Sequence, residues 1–307
     1  MADHMDRSTR MLQGRTAIVT GAGSGLGRSH ALELARHGAR IAINDMNAEA
    51  AEAVAAEIRA AGGEALGFGG SVTDEQAVAA MVTATMQAWG RIDILVNNAG
   101  ILRDRSFAKM TVAEFREVID VHLMGSVICT KAVWEIMREQ RYGRIVMTTS
   151  STGLFGNFGQ ANYGAAKMAL VGLMQTLSLE GEKYDIKVNC LAPTAATAMT
   201  GGLLSAETVE QLAPELVSPG VAALVRGDAP TRAILNTGAG HFARTHVALT
   251  QGVFIGGGAD AAERLAANFD RVSDRSGDIV PAYGFLQMER ELASGSEGSK
   301  RATAANG

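Results

Sequence analysis

The chain has 307 residues, of which 47% are hydrophobic and 20% are charged, and its formal net charge at pH 7 is −4. A chain of this size and composition can bury a sizeable core, which excludes the fibrous and disordered classes. Lysine and arginine do not form long blocks, so neither nucleic acid nor a membrane is expected as a partner. The sequence therefore predicts a globular protein that acts on a small, diffusible molecule.

The cysteines and the N-terminal segment bear on the cellular location. Cys129 and Cys190 lie among apolar residues, which is typical of small buried side chains and not of a disulfide framework. Residues 1–12 lack the apolar core of a signal peptide, and no window of the sequence is apolar and long enough to span a bilayer. We expect a cytoplasmic protein with a flexible N-terminal segment.

The first predicted strand, residues 16–20, leads directly into a glycine-rich turn and a helix. The candidate cofactor-binding residues of the turn are Gly21, Ser24, Gly25, Leu26 and Gly27. Glycines let the backbone turn sharply and approach a pyrophosphate closely, while the N–H groups at the helix start favour negative charge. Glycine-rich turns also occur for purely steric reasons, so the turn alone leaves both interpretations open.

The second predicted strand, residues 41–44, is followed by Asp45, about twenty residues after the glycine turn. A carboxylate at this place accepts a hydrogen bond from an adenosine ribose 2′-hydroxyl and repels a 2′-phosphate. Ser24 and Met46, where a phosphate-pairing cation would be expected, are uncharged. These residues favour NAD over NADP, and the alternative is that Asp45 is a turn residue or a helix cap.

Two further strand and helix pairs precede residue 100. The predicted elements are a helix over 47–61, a strand over 65–68, a helix from 73 or 74 to 89, and a buried strand over 92–96. The buried strand is followed by Asn97, Asn98, Ala99 and Gly100. Small and amide residues there can brace neighbouring strands and leave room for a cofactor, and an ordinary turn is the alternative.

An unusually long helix is predicted from residue 111 to residue 140. It starts with Thr111 and Glu114 at the spacing of a capping box. Its apolar stripe is larger than one sheet face needs, so the helix packs either against a second subunit or in a deep core. The first alternative predicts a homo-oligomer, either a dimer or a tetramer.

The remaining alternation of strands and helices predicts a parallel sheet with a ligand at the carboxyl ends of its strands. The elements are strands over 143–147, 187–191 and 233–237, a helix over 165–179, and a mobile helical lid over 203–216. Pro193 and residues 194–200 follow the strand over 187–191.

Ser150, Tyr163 and Lys167 are candidate catalytic residues. Tyr163 and Lys167 are four apart in a predicted helix, so their side chains leave the same face. A nearby ammonium favours the phenolate, and a tyrosine with a lowered pKa can exchange a proton with an alcohol. Ser150 follows a predicted strand end and can offer its hydroxyl to the same substrate oxygen. Tyrosine and lysine at this spacing are more often a half-buried ring and a solvated charge, so the assignment depends on the rest of the chain.

Four motifs in register resemble the short-chain dehydrogenase/reductase family over residues 14–240. The motifs are Thr20-Gly21-x3-Gly25-x-Gly27, Asn97-Asn98-Ala99-Gly100, Ser150, and Tyr163-x3-Lys167. The resemblance implies a doubly wound α/β Rossmann fold with a seven-stranded, mostly parallel sheet and helices on both faces. It also implies an NAD-dependent oxidoreductase that interconverts a secondary alcohol and a ketone.

The family resemblance also assigns roles to individual residues. It implies that Tyr163 is the acid and base, that Lys167 binds ribose hydroxyls and lowers the tyrosine pKa, and that Ser150 orients the substrate oxygen. It further implies a cofactor site that, beyond the glycine turn, Asp45 and Met46, contains Val72, Asn98, Ala99, Gly100, Tyr163, Lys167, Pro193 and Thr197.

Three positions depart from the family pattern. His122 stands where the family usually has a catalytic asparagine, Thr194 where it commonly has glycine, and Ser71 where an adenine-contacting aspartate is frequent. An imidazole can relay protons itself, so we count His122 as a candidate catalytic residue. The alternative is a helix histidine that only fills space.

Several segments look most like the (3R)-hydroxyacyl-CoA dehydrogenase domains of peroxisomal multifunctional enzymes, which implies a bulky acyl-thioester substrate. They are Val121-His122-Leu123, Tyr142-Gly-Arg-Ile, residues 156–163, and residues 192–200. The alternatives are a steroid or terpenoid alcohol dehydrogenase of the same family, and a protein that senses NAD(H) without chemistry.

We expect a catalytic domain over residues 13–240, a C-terminal extension over 241–292 and a disordered tail over 293–307. In the extension, the alternating residues 242–250 and the run 253–255 are predicted to form a hairpin, and 259–272 a helix. His241 and His246 would face opposite sides of a strand, so we predict no metal site.

Overall fold

The computed structural model describes residues 11–196 and 205–305, and its centre is one eight-stranded sheet. The strands are β1 Thr16–Thr20, β2 Arg40–Asp45, β3 Ala65–Gly69, β4 Ile94–Asn97, β5 Gly143–Thr148, β6 Ile186–Thr194, β7 Ile234–Gly238 and β8 His241–Thr245. Their order is β3-β2-β1-β4-β5-β6-β7-β8, and only the last pair is antiparallel. The predicted doubly wound fold is confirmed, with eight strands instead of seven.

Helices cover both faces of this sheet. Neighbouring residues of β1 show it directly, because Ile18 packs into one hydrophobic cluster and Val19 into the other. All residues of β1 and β5 are buried, as expected for parallel strands covered on both sides. The core is therefore two apolar layers separated by the sheet.

The first nine helices belong to the part of the chain that ends at Thr245. They are α1 Gly25–Arg36, α2 Ala48–Ala60, α3 Glu75–Trp89, α4 Val112–Ile119, α5 Gly125–Gln140, α6 Ser151–Phe155, α7 Ala161–Gly181, α8 Ala206–Gln211 and α9 Ser218–Leu224. Short 3₁₀ turns lie at Glu182–Tyr184 and Pro214–Leu216. Among the described helices, none is long and apolar enough to cross a membrane.

The predicted long helix is present but is not uniform. The Thr111 capping box with Glu114 starts α4 as expected. Between α4 and α5 the chain forms a π-helical segment, Asp120–Met124, that widens one turn. A π turn inside an α-helix frequently marks a functional site.

Arg144 holds the start of β5 in place, at the amino ends of the strands, opposite the candidate site. Its side chain is fully buried, and its guanidinium donates to the carbonyl oxygens of Asp185, Arg226 and Gly227. It also lies 4.1 Å from the centre of the Tyr142 ring. These bonds join the starts of β5 and β6 to the segment that follows α9, and they satisfy a buried charge that would otherwise be costly.

The sheet ends later than the sequence predicts. Ala239 and Gly240, both with positive φ, form a tight turn that folds β8 back on β7. The boundary between the two structural units accordingly falls after Thr245, five residues beyond the expected position. Four of the five residues of β8 are exposed, so an edge strand of this kind carries no apolar signal.

The second unit, from His246 onwards, differs from the expected extension and tail. Residues 253–255 form no strand, and Leu249 pairs with Ile279 in an isolated antiparallel bridge instead. Within the described part of this unit, the helices are α10 Ala261–Ala267, α11 Phe269–Val272 and α12 Leu286–Ala305. The last one covers residues 293–305, for which disorder is predicted, because alanine, glutamate, lysine and arginine between the serines and glycines have good helix propensity.

Candidate active site

The candidate residues lie at the carboxyl edge of the parallel strands. The glycine turn follows β1, Asp45 ends β2, Asn97 ends β4, and Ser150 comes two residues after β5. The strand order reverses between β1 and β4, and an open sheet of this type binds its ligand in the crevice at that point.

The glycine turn packs directly against the segment that follows β4. A Cβ atom on Gly21, whose φ is +60°, would lie 2.7 Å from the Cα atom of Ala99. A Cβ atom on Gly27 would lie 2.2 Å from the carbonyl oxygen of Gly21. Both distances are too short for a side chain, so this backbone can be formed only with glycine at these positions.

The start of α1 offers free hydrogen-bond donors. The N-cap residue Ser24 makes no side-chain cap bond, and Gly25, Leu26 and Gly27 form the first turn. The first N–H groups of a helix lack intrahelical partners and favour an anion. This turn fits the pyrophosphate of a dinucleotide.

Asp45 is held in place by the glycine turn. Its Oδ2 accepts from the Gly23 backbone N–H at 2.9 Å, and its Oδ1 accepts from the Asn47 N–H at 3.0 Å. Asn47, not Asp45, is the N-cap of α2, which excludes the helix-cap alternative. The neighbouring Met46 is 78% exposed and brings no charge. A fixed carboxylate beside the turn fits a ribose with free hydroxyls.

Asn98 and Thr20 brace β1 against β4. The Asn98 Nδ2 donates to the carbonyl oxygens of Thr20 and Gly21, at 3.0 and 3.1 Å. In return, the Thr20 hydroxyl accepts from the backbone N–H groups of Asn98 and Ala99. These bonds hold the two walls of the crevice at a fixed separation.

The other predicted cofactor residues lie around this crevice or outside the described part. Val72 is buried after β3, where a Cβ on Gly125 at the start of α5 would lie 2.5 Å from its Cγ2. Pro193 lies in β6 beside Thr237 of β7. Thr197 and the first residues of the predicted lid, 203–204, fall outside the described residues.

Ser150 and Tyr163 meet at the end of β5. Ser150 is the N-cap of α6, its Oγ accepts from the Thr152 N–H, and only 8% of its surface is exposed. Tyr163 lies in the first turn of α7. Burial raises the pKa of Tyr163, hydrogen bonding with Ser150 opposes this, and the Asp104 carboxylate adds to the increase. In the protein alone, the phenol therefore keeps its proton at neutral pH.

Lys167 is buried one turn after Tyr163 on α7. Its Nζ donates to the Thr148 carbonyl oxygen at 2.5 Å and lies 5.5 Å from the centre of the Tyr163 ring. Burial lowers the pKa of Lys167 to about 7. In the protein alone the pKa of Tyr163 is nevertheless raised, because burial outweighs the other influences on it, and the lowering by Lys167 stays a prediction.

His122 lies in the π-helical segment, next to Tyr163. The two rings are nearly perpendicular, with centroids 5.2 Å apart. The His122 Nε2 contacts the backbone of Ile101, whereas its buried Nδ1 has no hydrogen-bond partner among the described residues. Burial and then the charge of Lys167 lower the pKa of His122 to about 3. The imidazole is therefore neutral.

Two structural contributors to the site were missed from the sequence. The Thr149 hydroxyl donates to the Lys167 carbonyl oxygen at 2.6 Å and fastens α7 to the end of β5. Asn162 is fully buried, and its Nδ2 donates to the Arg103 carbonyl oxygen, which ties the segment after β4 to the start of α7. The sequence did carry a signal for each of them. Thr149 is a hydroxyl residue directly after a buried strand, and Asn162 is an amide directly before Tyr163.

Residues 11–196 and 205–305 contain no group of three or more histidine, cysteine, aspartate or glutamate side chains arranged to hold a metal ion. Both cysteines are buried and free.

A pyrophosphate-binding turn, a carboxylate for a ribose, and a serine, tyrosine and lysine at one strand end define a dinucleotide-dependent oxidoreductase site. The comparison with known sequences agrees, because the model of the short chain dehydrogenase family matches residues 15–208. The chain belongs to the short-chain dehydrogenase family, and the family and enzyme class predicted from the sequence are confirmed.

Individual relatives show which proteins resemble this chain. The peroxisomal multifunctional enzyme type 2 of Drosophila melanogaster is 48% identical over 220 residues, which cover 69% of this chain and 36% of that protein. The chain thus matches only about a third of that relative's length. A crystal structure of a short chain dehydrogenase from Mycobacterium avium is 35% identical with a TM-score of 0.77 and covers 89% of this chain and 99% of its own.

A third comparison concerns a structure with bound ligands. A 7α-hydroxysteroid dehydrogenase complexed with NADH and 7-oxo glycochenodeoxycholic acid is 28% identical, with a TM-score of 0.71. The match covers 76% of this chain and 96% of that chain. The similarity therefore extends across nearly the whole of that dehydrogenase.

Proposed function

We propose that this chain catalyses the NAD(H)-dependent interconversion of a secondary alcohol and a ketone, and that its substrate is a (3R)-hydroxyacyl thioester of coenzyme A. The observation that carries the activity is the meeting of Ser150, Tyr163 and Lys167 at the end of β5, beside the glycine turn. A protein that only senses NAD(H) needs the turn and Asp45 but not this set.

Ser150, Tyr163 and Lys167 have different roles in the proposed proton transfer. The nicotinamide, when bound, supplies or accepts the hydride. The Ser150 hydroxyl holds the substrate oxygen, and Tyr163, whose pKa is raised, gives its proton to that oxygen in reduction and takes it back in oxidation. Lys167, whose pKa of about 7 lies close to neutrality, gains or loses a proton readily. It can therefore exchange a proton with Tyr163.

The preference for NAD over NADP rests on Asp45. Its carboxylate is fixed by two backbone N–H groups, so it cannot turn away from a ribose that enters the crevice. A 2′-phosphate at that position would face a fixed negative charge, whereas a 2′-hydroxyl would donate a hydrogen bond to it.

Two exposed phenylalanines support the acyl substrate. Phe155 and Phe158 lie on the chain between Ser150 and Tyr163 and are 69% and 90% exposed. Exposed phenylalanines on the segment that joins two candidate site residues favour a ligand with a large apolar part. Relatives named peroxisomal multifunctional enzyme type 2 and peroxisomal hydratase-dehydrogenase-epimerase support the resemblance from which the thioester substrate was inferred. The steroid in the 7α-hydroxysteroid dehydrogenase structure supports a steroid alcohol as the alternative.

The substrate proposal is tested by following nicotinamide reduction in near-ultraviolet absorbance with NAD and a panel of alcohols. The panel contains (3R)- and (3S)-hydroxyacyl-CoA esters, steroid alcohols and terpenoid alcohols. We expect turnover only with the (3R) thioesters, and Tyr163→Phe should bind NADH normally but lose most turnover. Turnover with the free alcohols alone would discard the thioester, and NADH binding without any turnover would favour a sensor.

The cofactor preference is tested with Asp45→Asn and Asp45→Ala. A hydrogen bond to a charged group contributes about 1.5–3 kcal/mol, so we expect the ratio of kcat/KM for NAD over NADP to fall about 10- to 100-fold in Asp45→Ala. Asp45→Asn keeps the shape and removes the charge, and it should relieve the repulsion of NADP. An unchanged ratio in both variants would show that Asp45 does not contact the cofactor ribose.

We also propose that the protein is a homo-oligomer, either a dimer or a tetramer. Met168 and Leu179 are exposed and eleven residues apart on α7, so they share one face of that helix. Light scattering of the purified protein measures the subunit number, and a monomer would contradict the proposal. The cytoplasmic location stays a prediction for imaging of a tagged protein.

A further inference from the structure

We infer that Gln160 is a specificity-determining residue, because its side chain closes the loop that carries Phe155 and Phe158 and so sets which acyl chains the enzyme prefers. We call residues 153–159, which include the end of α6 and the connection to α7, the phenylalanine loop. The inference rests on the proposed dehydrogenase activity and its acyl substrate. It concerns the choice of substrate and not the transfer of the proton.

The outer part of the phenylalanine loop gains little from apolar packing. Phe155 and Phe158 are largely exposed, so neither side chain buries much apolar surface. Gly156 and Gly159 both have positive φ, and glycine restricts the backbone less than any other residue. Polar contacts at the ends of the loop therefore have to hold its shape.

The oxygen of the Gln160 amide closes the loop on itself. Gln160 Oε1 accepts from the Thr152 hydroxyl at 2.9 Å and from Asn157 Nδ2 at 3.0 Å. Thr152 stands directly before the loop, and its backbone N–H donates to the Ser150 Oγ at 3.1 Å. The two ends of the loop are therefore joined beside the serine that is proposed to hold the substrate oxygen.

The nitrogen of the same amide ties the loop to the segment that follows β4. Gln160 Nε2 donates to the Asp104 Oδ2 at 2.7 Å. The backbone takes part as well, because the Arg105 N–H donates to the Gly159 carbonyl oxygen at 2.8 Å and Arg105 forms an isolated parallel bridge with Gln160. The loop is thus held against a second segment of the site by both side chain and backbone.

An amide at position 160 matches both sets of partners. An ionised carboxylate such as Asp104 only accepts hydrogen bonds, so it requires the Gln160 Nε2 on its side. This orientation turns Oε1 towards Thr152 and Asn157, which donate. A carboxylate at position 160 would face a second acceptor in Asp104, and an apolar side chain would leave all three partners without Gln160.

The closed loop presents its phenylalanines to the apolar part of a substrate. Each added methylene of an acyl chain gains affinity only where it is removed from water against apolar surface. A short acyl chain has few methylenes and depends little on Phe155 and Phe158, whereas a long chain depends on them more. Loss of the Gln160 contacts should therefore weaken the preference for long chains over short ones.

The main test compares kcat/KM for a long-chain and a short-chain (3R)-hydroxyacyl-CoA in Gln160→Met. Methionine keeps the length of the side chain and removes both polar atoms. One hydrogen bond changes an equilibrium about two- to tenfold, so we expect the ratio of long over short to fall about tenfold, mainly through KM for the long chain. Both substrates use the same Tyr163, so an effect on proton transfer cancels in this ratio. Gln160→Glu, which keeps the contact with Thr152 and repels Asp104, should give a smaller fall.

Two variants serve as matched controls. Asn157→Ala removes one donor to the Gln160 Oε1 and leaves the bonds to Thr152 and Asp104 in place. Asp104→Asn removes the charge but keeps an oxygen that accepts from Gln160 Nε2. We expect both variants to keep the wild-type ratio. A tenfold fall in Asp104→Asn would mean that the charge of Asp104, and not the Gln160 amide, sets the preference.

A second measurement does not depend on turnover. Chymotrypsin cleaves after exposed phenylalanines, and mass spectrometry of the fragments identifies each cut. Cleavage after Phe155 and Phe158 should be about tenfold faster in Gln160→Met than in the wild type. Cleavage after Phe285, which is also largely exposed but lies in the second unit, is the internal reference and should not change.

These results separate the role of Gln160 from the proposed activity. Unchanged cleavage in both Gln160 variants would overturn the inference, and so would an unchanged substrate ratio in variants that remain active. A wild-type protein that is inactive with every thioester would count against the proposed function. Faster cleavage in the Gln160 variants would in that case still support the closing of the loop by Gln160.

Discussion

His30 gives a quantitative test of the electrostatics of α1, the helix that starts at the glycine turn. Its side chain is fully buried, and its Nδ1 lies 2.8 Å from the Ser218 hydroxyl. Burial lowers the pKa of His30 from 6.5 to about 3. The unfolded chain therefore takes up a proton below about pH 6.5, whereas the folded chain does so only near pH 3.

The sign and the size of the effect follow from this difference. The contribution of His30 to stability is fully present above about pH 6.5 and is lost as the pH falls towards 3. The slope within this window is about 1.4 kcal/mol per pH unit. Between pH 7 and pH 5 the free energy of unfolding should fall by about 2 kcal/mol through His30 alone. The fall of about 2 kcal/mol follows for any pKa of His30 in the folded protein below about 4.5.

The assay is urea unfolding of the wild type and His30→Gln at pH 7 and pH 5, followed by circular dichroism. The variant should gain about 2 kcal/mol relative to the wild type when the pH changes from 7 to 5. Ser29→Ala is the control, because Ser29 contacts the same Ser218 hydroxyl but does not titrate, so its cost should be equal at both pH values. An equal cost of His30→Gln at both pH values would refute the reasoning.

Two further predictions concern the site itself. Gly27→Ala, whose Cβ would lie 2.2 Å from the Gly21 carbonyl oxygen, should weaken NADH binding at least about tenfold in a fluorescence titration, since a few kcal/mol of overlap is expected. Gly284→Ala, which has no atom within 4 Å of the added Cβ, should bind NADH like the wild type, and equal loss in both would contradict the steric argument. The raised pKa of Tyr163 in the free protein predicts that alcohol oxidation speeds up steadily from pH 7 to pH 9, measured as kcat/KM with NAD. A flat profile would mean that removal of the tyrosine proton does not limit the rate.

The buried strands and the glycine turn could be predicted because their physical requirements are visible in the sequence. A parallel strand covered on both faces is a run of apolar residues, as in β1 and β5. The turn needs glycine at Gly21 and Gly27, where no Cβ fits. By contrast, β8 is an exposed edge strand, and only its pairing with β7 identifies it.

The details of the candidate site depend on tertiary contacts. The four-residue spacing places Tyr163 and Lys167 on one helix face, but it does not reveal that the lysine Nζ ends at the Thr148 carbonyl oxygen. The π-helical segment has no sequence signature, so the position of His122 against Gly100 could not be derived from either residue. The sequence therefore predicted which residues take part in the site, and the packing determines their pKa values and partners.

The separation of Arg144 from Ser150 along β5 indicates where the protein can be altered without loosening its sheet. One lies near the start of β5 and the other just beyond its end, so the bonds of the arginine and the chemistry of the serine are separated by the length of a strand. The loop with Phe155 and Phe158 belongs to the serine end and contributes no residue to the arginine contacts. Substitutions at Phe155 and Phe158 therefore leave the Arg144 hydrogen bonds unchanged, so they should alter the surface beside Ser150 without loosening the sheet.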